Sequence, residues 1–146
     1  MVSYDNTGER LDLLVNTTDP YDGFRPIDWL DDEYTTRFQI TASGAWTIDI
    51  APLAPIPEIQ RHILPIPGTY EGTGDDVVIL TEGTPDLATI EGNAGGHHFA
   101  VTGWGSRREL LANTVDPYEG TVILSSDTFA LEIVAQGDWS ITVATK

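Results

Sequence analysis

Leu13-Leu14-Val15-Asn16-Thr17-Thr18-Asp19-Pro20-Tyr21-Asp22-Gly23 returns 97 residues later as Leu110-Leu111-Ala112-Asn113-Thr114-Val115-Asp116-Pro117-Tyr118-Glu119-Gly120. An internal repeat is read before local propensity, because copies of one phrase build copies of one unit. A second match follows at an offset of 93: Phe38 to Ile50 aligns with Leu131 to Val143 through Ile-x-Ala-x-Gly-x-Trp-x-Ile. The loop between the two phrases is therefore four residues longer in the first copy, at about Trp29 to Tyr34. Inside the phrase, proline presets φ, aspartate and asparagine cap the turn, and glycine releases the chain into the next strand. Asn16, Asn113, Asp19 and Asp116 are read as the caps, the alternative being a cation site at each turn made with carbonyl oxygens. The tyrosine buries its ring and bonds the backbone with its hydroxyl, as a tyrosine corner does.

Outward from the phrase the pattern is β. Trp139, Ile141 and Val143 alternate with Ser140, Thr142 and Ala144, and Trp46, Ile48 and Ile50 alternate with Thr47, Asp49 and Ala51. Successive strand side chains point to opposite faces, so each apolar set fills one face of a sheet. On this reading Trp46 and Trp139 are both inward, structural residues. Ser43-Gly44-Ala45 and Gln136-Gly137-Asp138 read as tight hairpins with glycine at positive φ. Short strands at spacings of about 8–12 residues predict an antiparallel β-sandwich, jelly-roll or immunoglobulin-like in general architecture.

The copies are unequal. Val77–Leu80, Leu87–Glu91 and Phe99–Trp104 read as three strands ahead of the second phrase, and aligning outward puts Met1 inside the counterpart of the third. The expected organisation is a partial repeat over 1–54, a proline-rich connector over 55–67 and a complete repeat over 68–146. Prolines at 52, 55, 57, 65 and 67 forbid a central strand in the connector, and Glu58 to Leu64 is allowed one helical turn at most. A half sandwich leaves strand edges and apolar surface to be completed by another segment or molecule. A protein partner or self-association through the first repeat is therefore expected.

The 146 residues carry 23 acids against 7 bases, a formal charge of −16, spread over both halves. Such a field repels phosphate backbones and anionic membranes, which argues against nucleic acid and membrane surfaces as partners and allows divalent cations or basic partners. The chain has no cysteine, so disulfides, thiolate metal sites and cysteine nucleophiles are excluded. No apolar run approaches the ~20 residues of a membrane span. The opening MVSYDNTGER has neither a basic start nor an apolar core, so it is not read as a signal peptide.

Gly72-x-Gly-Asp-Asp-Val-Val78, Phe99-x-Val101, Leu110-Leu-x-Asn-Thr114, Tyr118-x-Gly120 and Ile133-x-Ala-x-Gly-x-Trp-x-Ile141 together resemble a small β-sandwich domain of bacterial and archaeal proteins, many secreted or in the cell envelope. The resemblance covers 68–146 well and 1–51 partly, since the first copy lacks the Gly-x-Gly-Asp-Asp and Phe-x-Val elements. It implies a fold, tandem occurrence and an extracellular or envelope location, but no activity.

Features found in one copy only are the better candidates for a site. Asp75-Asp76 and Asp31-Asp32-Glu33 are the acidic clusters that could contribute to a calcium site, although such an ion wants six to eight oxygens and neither cluster supplies them alone. Asp5-Asn6-Thr7-Gly8-Glu9 resembles a calcium loop without its full carboxylate spacing. Trp29 and Trp104 are unmatched aromatics that either stack on a sugar or cap the core. His97-His98 would point to opposite faces of a strand, and His62 stands alone in the connector. No nucleophile elbow, zinc-helix or phosphate-loop motif is present. The sequence therefore reads as a non-catalytic extracellular structural or interaction module, with no cofactor required, or alternatively as a carbohydrate-binding module with a structural calcium ion.

Overall fold

The computed structural model describes residues 1–29, 33–52 and 62–146. The chain forms two compact units, one made of Met1–Tyr21 with Pro26–Ile56 and the other of Asp22–Arg25 with Pro57–Lys146. Both are all-β, with no α-helix among the described residues.

The second unit is a two-sheet sandwich. Its strands are β4 (Ile63–Pro65), β5 (Gly68–Thr73), β6 (Asp76–Thr81), β7 (Pro85–Gly92), β8 (Phe99–Trp104), β9 (Arg108–Thr114), β10 (Tyr118–Ile123), β11 (Ala130–Val134) and β12 (Asp138–Thr145). One sheet has the order β4-β6-β11-β8-β9 and the other β10-β7-β12-β5. All pairs are antiparallel except β4, which lies parallel to β6 at the sheet edge. An edge is where strand proline is tolerated, which is how Pro65 ends β4 within the proline-rich connector. Of the helical turn considered for 58–64, Ile63 and Leu64 are strand, and 58–61 lie outside the described residues.

Alternation produces the core. In β6 every second residue is buried, and in β12 Trp139, Ile141 and Val143 are. Together with Ile90, Phe99, Val101, Leu131 and Ile133, the apolar residues among them form one buried core between the two sheets. The outer face of the four-stranded sheet carries a row Thr121-Thr89-Thr142-Thr69, one residue per strand, with hydroxyl contacts of 3.0 Å (Thr89–Thr121) and 2.8 Å (Thr69–Thr142). Such cross-strand pairs are the unit of sheet stabilisation.

The Gln136-Gly137-Asp138 hairpin does not form. Strands β11 and β12 lie in different sheets, so the chain crosses the sandwich there, and Gly137 is not at positive φ. The positive-φ glycine is instead Gly74, which ends β5, and its N–H bonds to the Gly137 carbonyl at 3.2 Å. Gly44 also lies outside the positive-φ region.

The first unit has one sheet of three strands, β1 (Val2–Tyr4), β2 (Arg10–Leu13) and β3 (Arg37–Gln39), in the order β2-β1-β3. At Val2 and Ser3 its register reproduces that of β9-β8-β11, although the bulge falls after Ser3 in β1 and before Thr102 in β8. Val2 faces Leu13 and Gln39 as Thr102 faces Leu110 and Glu132, and Ser3 faces Asp12 and Phe38 as Gly103 faces Glu109 and Leu131. The expected Trp46–Ile50 strand is missing, and Trp46 and Ile50 are 60% and 64% exposed, so the inward reading of Trp46 is corrected. Its counterpart Trp139 is 3% exposed because β5 and β7 flank it, with Gly72 and Gly92 opposite the ring-bearing residue. Trp46 has no such flanking strands among the described residues.

Candidate functional site

Asp75 ends the turn between β5 and β6 and Asp76 opens β6, in the second unit. Their carboxylates face an imidazole and a guanidinium of the same chain. Asp76 Oδ1 lies 2.6 Å from His62 Nδ1 and accepts the Val77 N–H at 2.7 Å. Asp75 Oδ1 accepts the Ala135 N–H at 2.9 Å, and Asp75 Oδ2 lies 3.6 Å from Arg25 Nη1. The Phe24 N–H reaches the Asp75 carbonyl at 3.4 Å, and the Phe24 ring packs on His62 at 4.7 Å between centroids.

Arg25 also meets Glu132, in the middle of β11 on the face turned away from the core. Glu132 is only 1% exposed. Its Oε1 lies 2.8 Å from Arg25 Nη2. Its Oε2 accepts the Trp104 indole N–H at 3.0 Å and lies 3.8 Å from Arg108 Nη2. The Arg108 guanidinium sits 5.1 Å from the Trp104 ring centroid. Trp104 is thus 5% exposed and held inside the fold by its polar edge as well as its ring. Burying a carboxylate is costly unless it is paired, and here two guanidinium groups and an indole surround it.

The Asp5 loop is held by bonds within itself. Desolvation raises the Asp5 pKa, but hydrogen bonds from Thr7 and the backbone of Glu9, Thr7 and Gly8 outweigh it and hold the carboxyl below the usual range. Thr7 Oγ1 stands 2.9 Å from both its oxygens, and the Glu9 N–H 2.7 Å from Oδ1. Trp29 and Glu33 are half-buried, and Asp31 and Asp32 lie outside the described residues. His97 and His98 follow a turn in which Asn93, at φ 61°, accepts the His97 N–H at 2.9 Å and donates to the His97 and Asp116 carbonyls. Asn93 was not singled out from the sequence; its place before Ala94-Gly95-Gly96 was the available signal.

The doubled turn is capped by threonine rather than by the asparagine or aspartate side chains. Thr17 Oγ1 accepts the Asp19 N–H at 3.0 Å, and Thr114 Oγ1 accepts the Asp116 N–H at 2.9 Å. A shallow groove of about 550 Å³ runs over the four-stranded sheet between Glu71, Glu91, Asp138 and Ser140. Among the described residues no three His, Asp or Glu side chains are grouped to hold a metal ion. Among them, too, no helix is long and apolar enough to cross a membrane.

No protein-family model and no curated protein matches this chain.

Proposed function

We propose that this chain is a non-catalytic interaction module of extracellular or cell-envelope type, in which the first unit is completed by β-structure from another polypeptide. One observation carries the reading. The first unit keeps the strand order of β9-β8-β11 and, at Val2 and Ser3, its register, while Trp46 and Ile50, whose counterparts in β12 are buried under a second sheet layer, stand exposed. Exposed apolar side chains on a sheet-forming sequence are what strand addition covers. The resemblance to tandem envelope sandwich domains points the same way.

A second copy of the chain is the first partner to test. Sedimentation velocity at a few hundred mM salt, where the acidic surfaces are screened, is expected to show association that grows with concentration. Trp46→Asp is expected to abolish it without altering the circular dichroism. A single monomeric species at every concentration would remove self-association, and loss of structure in the variant would show that Trp46 serves folding instead.

A further inference from the structure

The two matched sheets differ at one position in a way the fold does not require. Glu132 in β11 corresponds to Gln39 in β3, and Trp104 in β8 corresponds to Tyr4 in β1. In both sheets the aromatic residue donates to this partner, Tyr4 Oη to Gln39 Oε1 at 2.9 Å and Trp104 Nε1 to Glu132 Oε2 at 3.0 Å. In both, an arginine lies by the aromatic ring, Arg37 at Tyr4 and Arg108 at Trp104. A neutral amide is therefore enough to accept the aromatic donor. The buried negative charge of Glu132 needs another explanation, and the guanidinium of Arg25 supplies it.

Arg25 is a poor fit for the place it holds. Nη2 is 2.8 Å from Glu132 Oε1, yet the approach is out of line for a hydrogen bond, and among the described residues neither Oε1 nor the buried Arg25 Nε has a hydrogen-bond partner. A buried guanidinium and a carboxylate ordinarily pair in a two-pronged, aligned geometry. The segment bringing Arg25 here is four residues long, Asp22–Arg25, and both of its flanks belong to the first unit. Its main-chain bond to Asp75 is long at 3.4 Å, and Phe24 is 43% exposed.

We propose that the second unit carries a guanidinium-binding site centred on Glu132, filled in cis by Arg25, which accepts an arginine side chain from an extended segment of a partner polypeptide. A ligand not tied to the first unit can align both prongs on the carboxylate, with an aromatic neighbour taking the place of Phe24 against His62. The strongly acidic chain favours a basic partner in the encounter. The site belongs to the second unit and Trp46 to the first, so it goes beyond the reading above, and either can fail without the other.

The test uses the full chain as R25Q, which removes the guanidinium and its charge and leaves a shorter, neutral polar side chain. The probe is the capped peptide of residues 22–26, Asp-Gly-Phe-Arg-Pro, followed by calorimetry and by the Trp104 indole N–H resonance. Saturable binding is expected, with a displaced indole resonance. The affinity should be at least tenfold weaker for the same peptide carrying citrulline in place of arginine, for R25Q/E132Q, and for the wild-type chain, where Arg25 competes. No saturation up to about 1 mM, the weak end of specific affinity, would overturn the site, as would equal affinity for the citrulline peptide or for R25Q/E132Q. Should R25Q not fold, the wild-type chain is titrated with both peptides. An indole shift with the arginine peptide alone supports the site, and the absence of any shift overturns it.

Discussion

Trp46 and Trp139 hold the same place in matched phrases and have opposite fates. Trp139 lies in β12 with Gly72 across one ladder and Gly92 across the other, and its indole N–H bonds the Gly74 carbonyl at 2.9 Å. A Cβ at Gly72 would stand 2.3 Å from the Trp139 ring, so the glycine is the space the ring occupies. Gly72→Ala is expected to cost about 1–3 kcal/mol, the usual penalty of overpacking a filled core. Gly137→Ala meets nothing within 4 Å at an ordinary φ. It should be neutral or stabilising by about 0.4–1 kcal/mol through loss of unfolded-chain entropy. Urea denaturation of the two variants side by side checks both, and equal midpoints would show that the ring moves aside at little cost. The Gly-x-Gly spacing was legible in the sequence as a turn. Its service to a tryptophan 67 residues away was not, because the sequence holds no record of which strands flank which.

At the scale of elements, alternation found the strands but not their partners. Val77–Leu80, Leu87–Glu91 and Phe99–Trp104 all lie within strands of the second unit. A hairpin and a sheet-to-sheet crossing look alike locally, and Gln136–Asp138 has the residues of the former while making the latter. The connection from β10 to β11 shows how such a crossing is held. Asp127 accepts from Ser106, hydroxyl first and then the backbone N–H at 2.8 Å, and these bonds keep its carboxyl below the usual range. A depressed carboxyl adds stability that is present above its unfolded pKa and is lost as pH falls through the folded one. The contribution should therefore fade only in acid, below the ordinary aspartate value of about 3.9. Ser106→Ala is expected to raise the Asp127 midpoint toward that value in a carbon-detected NMR titration. An unchanged midpoint would mean that Ser106 is not the cause.

For the whole molecule, charge is the dominant condition. A net charge of −16 is joined by Glu119, Glu91 and Glu71, which share the outer face of neighbouring strands around Ser140. Like charges set opposite one another destabilise a sheet, and salt screens them. The melting temperature should rise between low and a few hundred mM sodium chloride, by about 4 °C for each kcal/mol relieved in a chain of this size. A flat or falling dependence would show that the buried Glu132 and Asp75–Asp76 pairs, rather than surface repulsion, set the response.

The sequence by itself determined the β class, the strand positions in the second unit, the doubled turn and the sign of the surface field. These follow from period-2 patterning, turn chemistry and composition, all local or additive along the chain. Only the tertiary structure decided that one matched tryptophan is buried and the other exposed, that Trp104 turns its indole to Glu132, and that Asp75-Asp76 faces Arg25 and His62. Those outcomes depend on which strands become neighbours and which distant charges share a buried space.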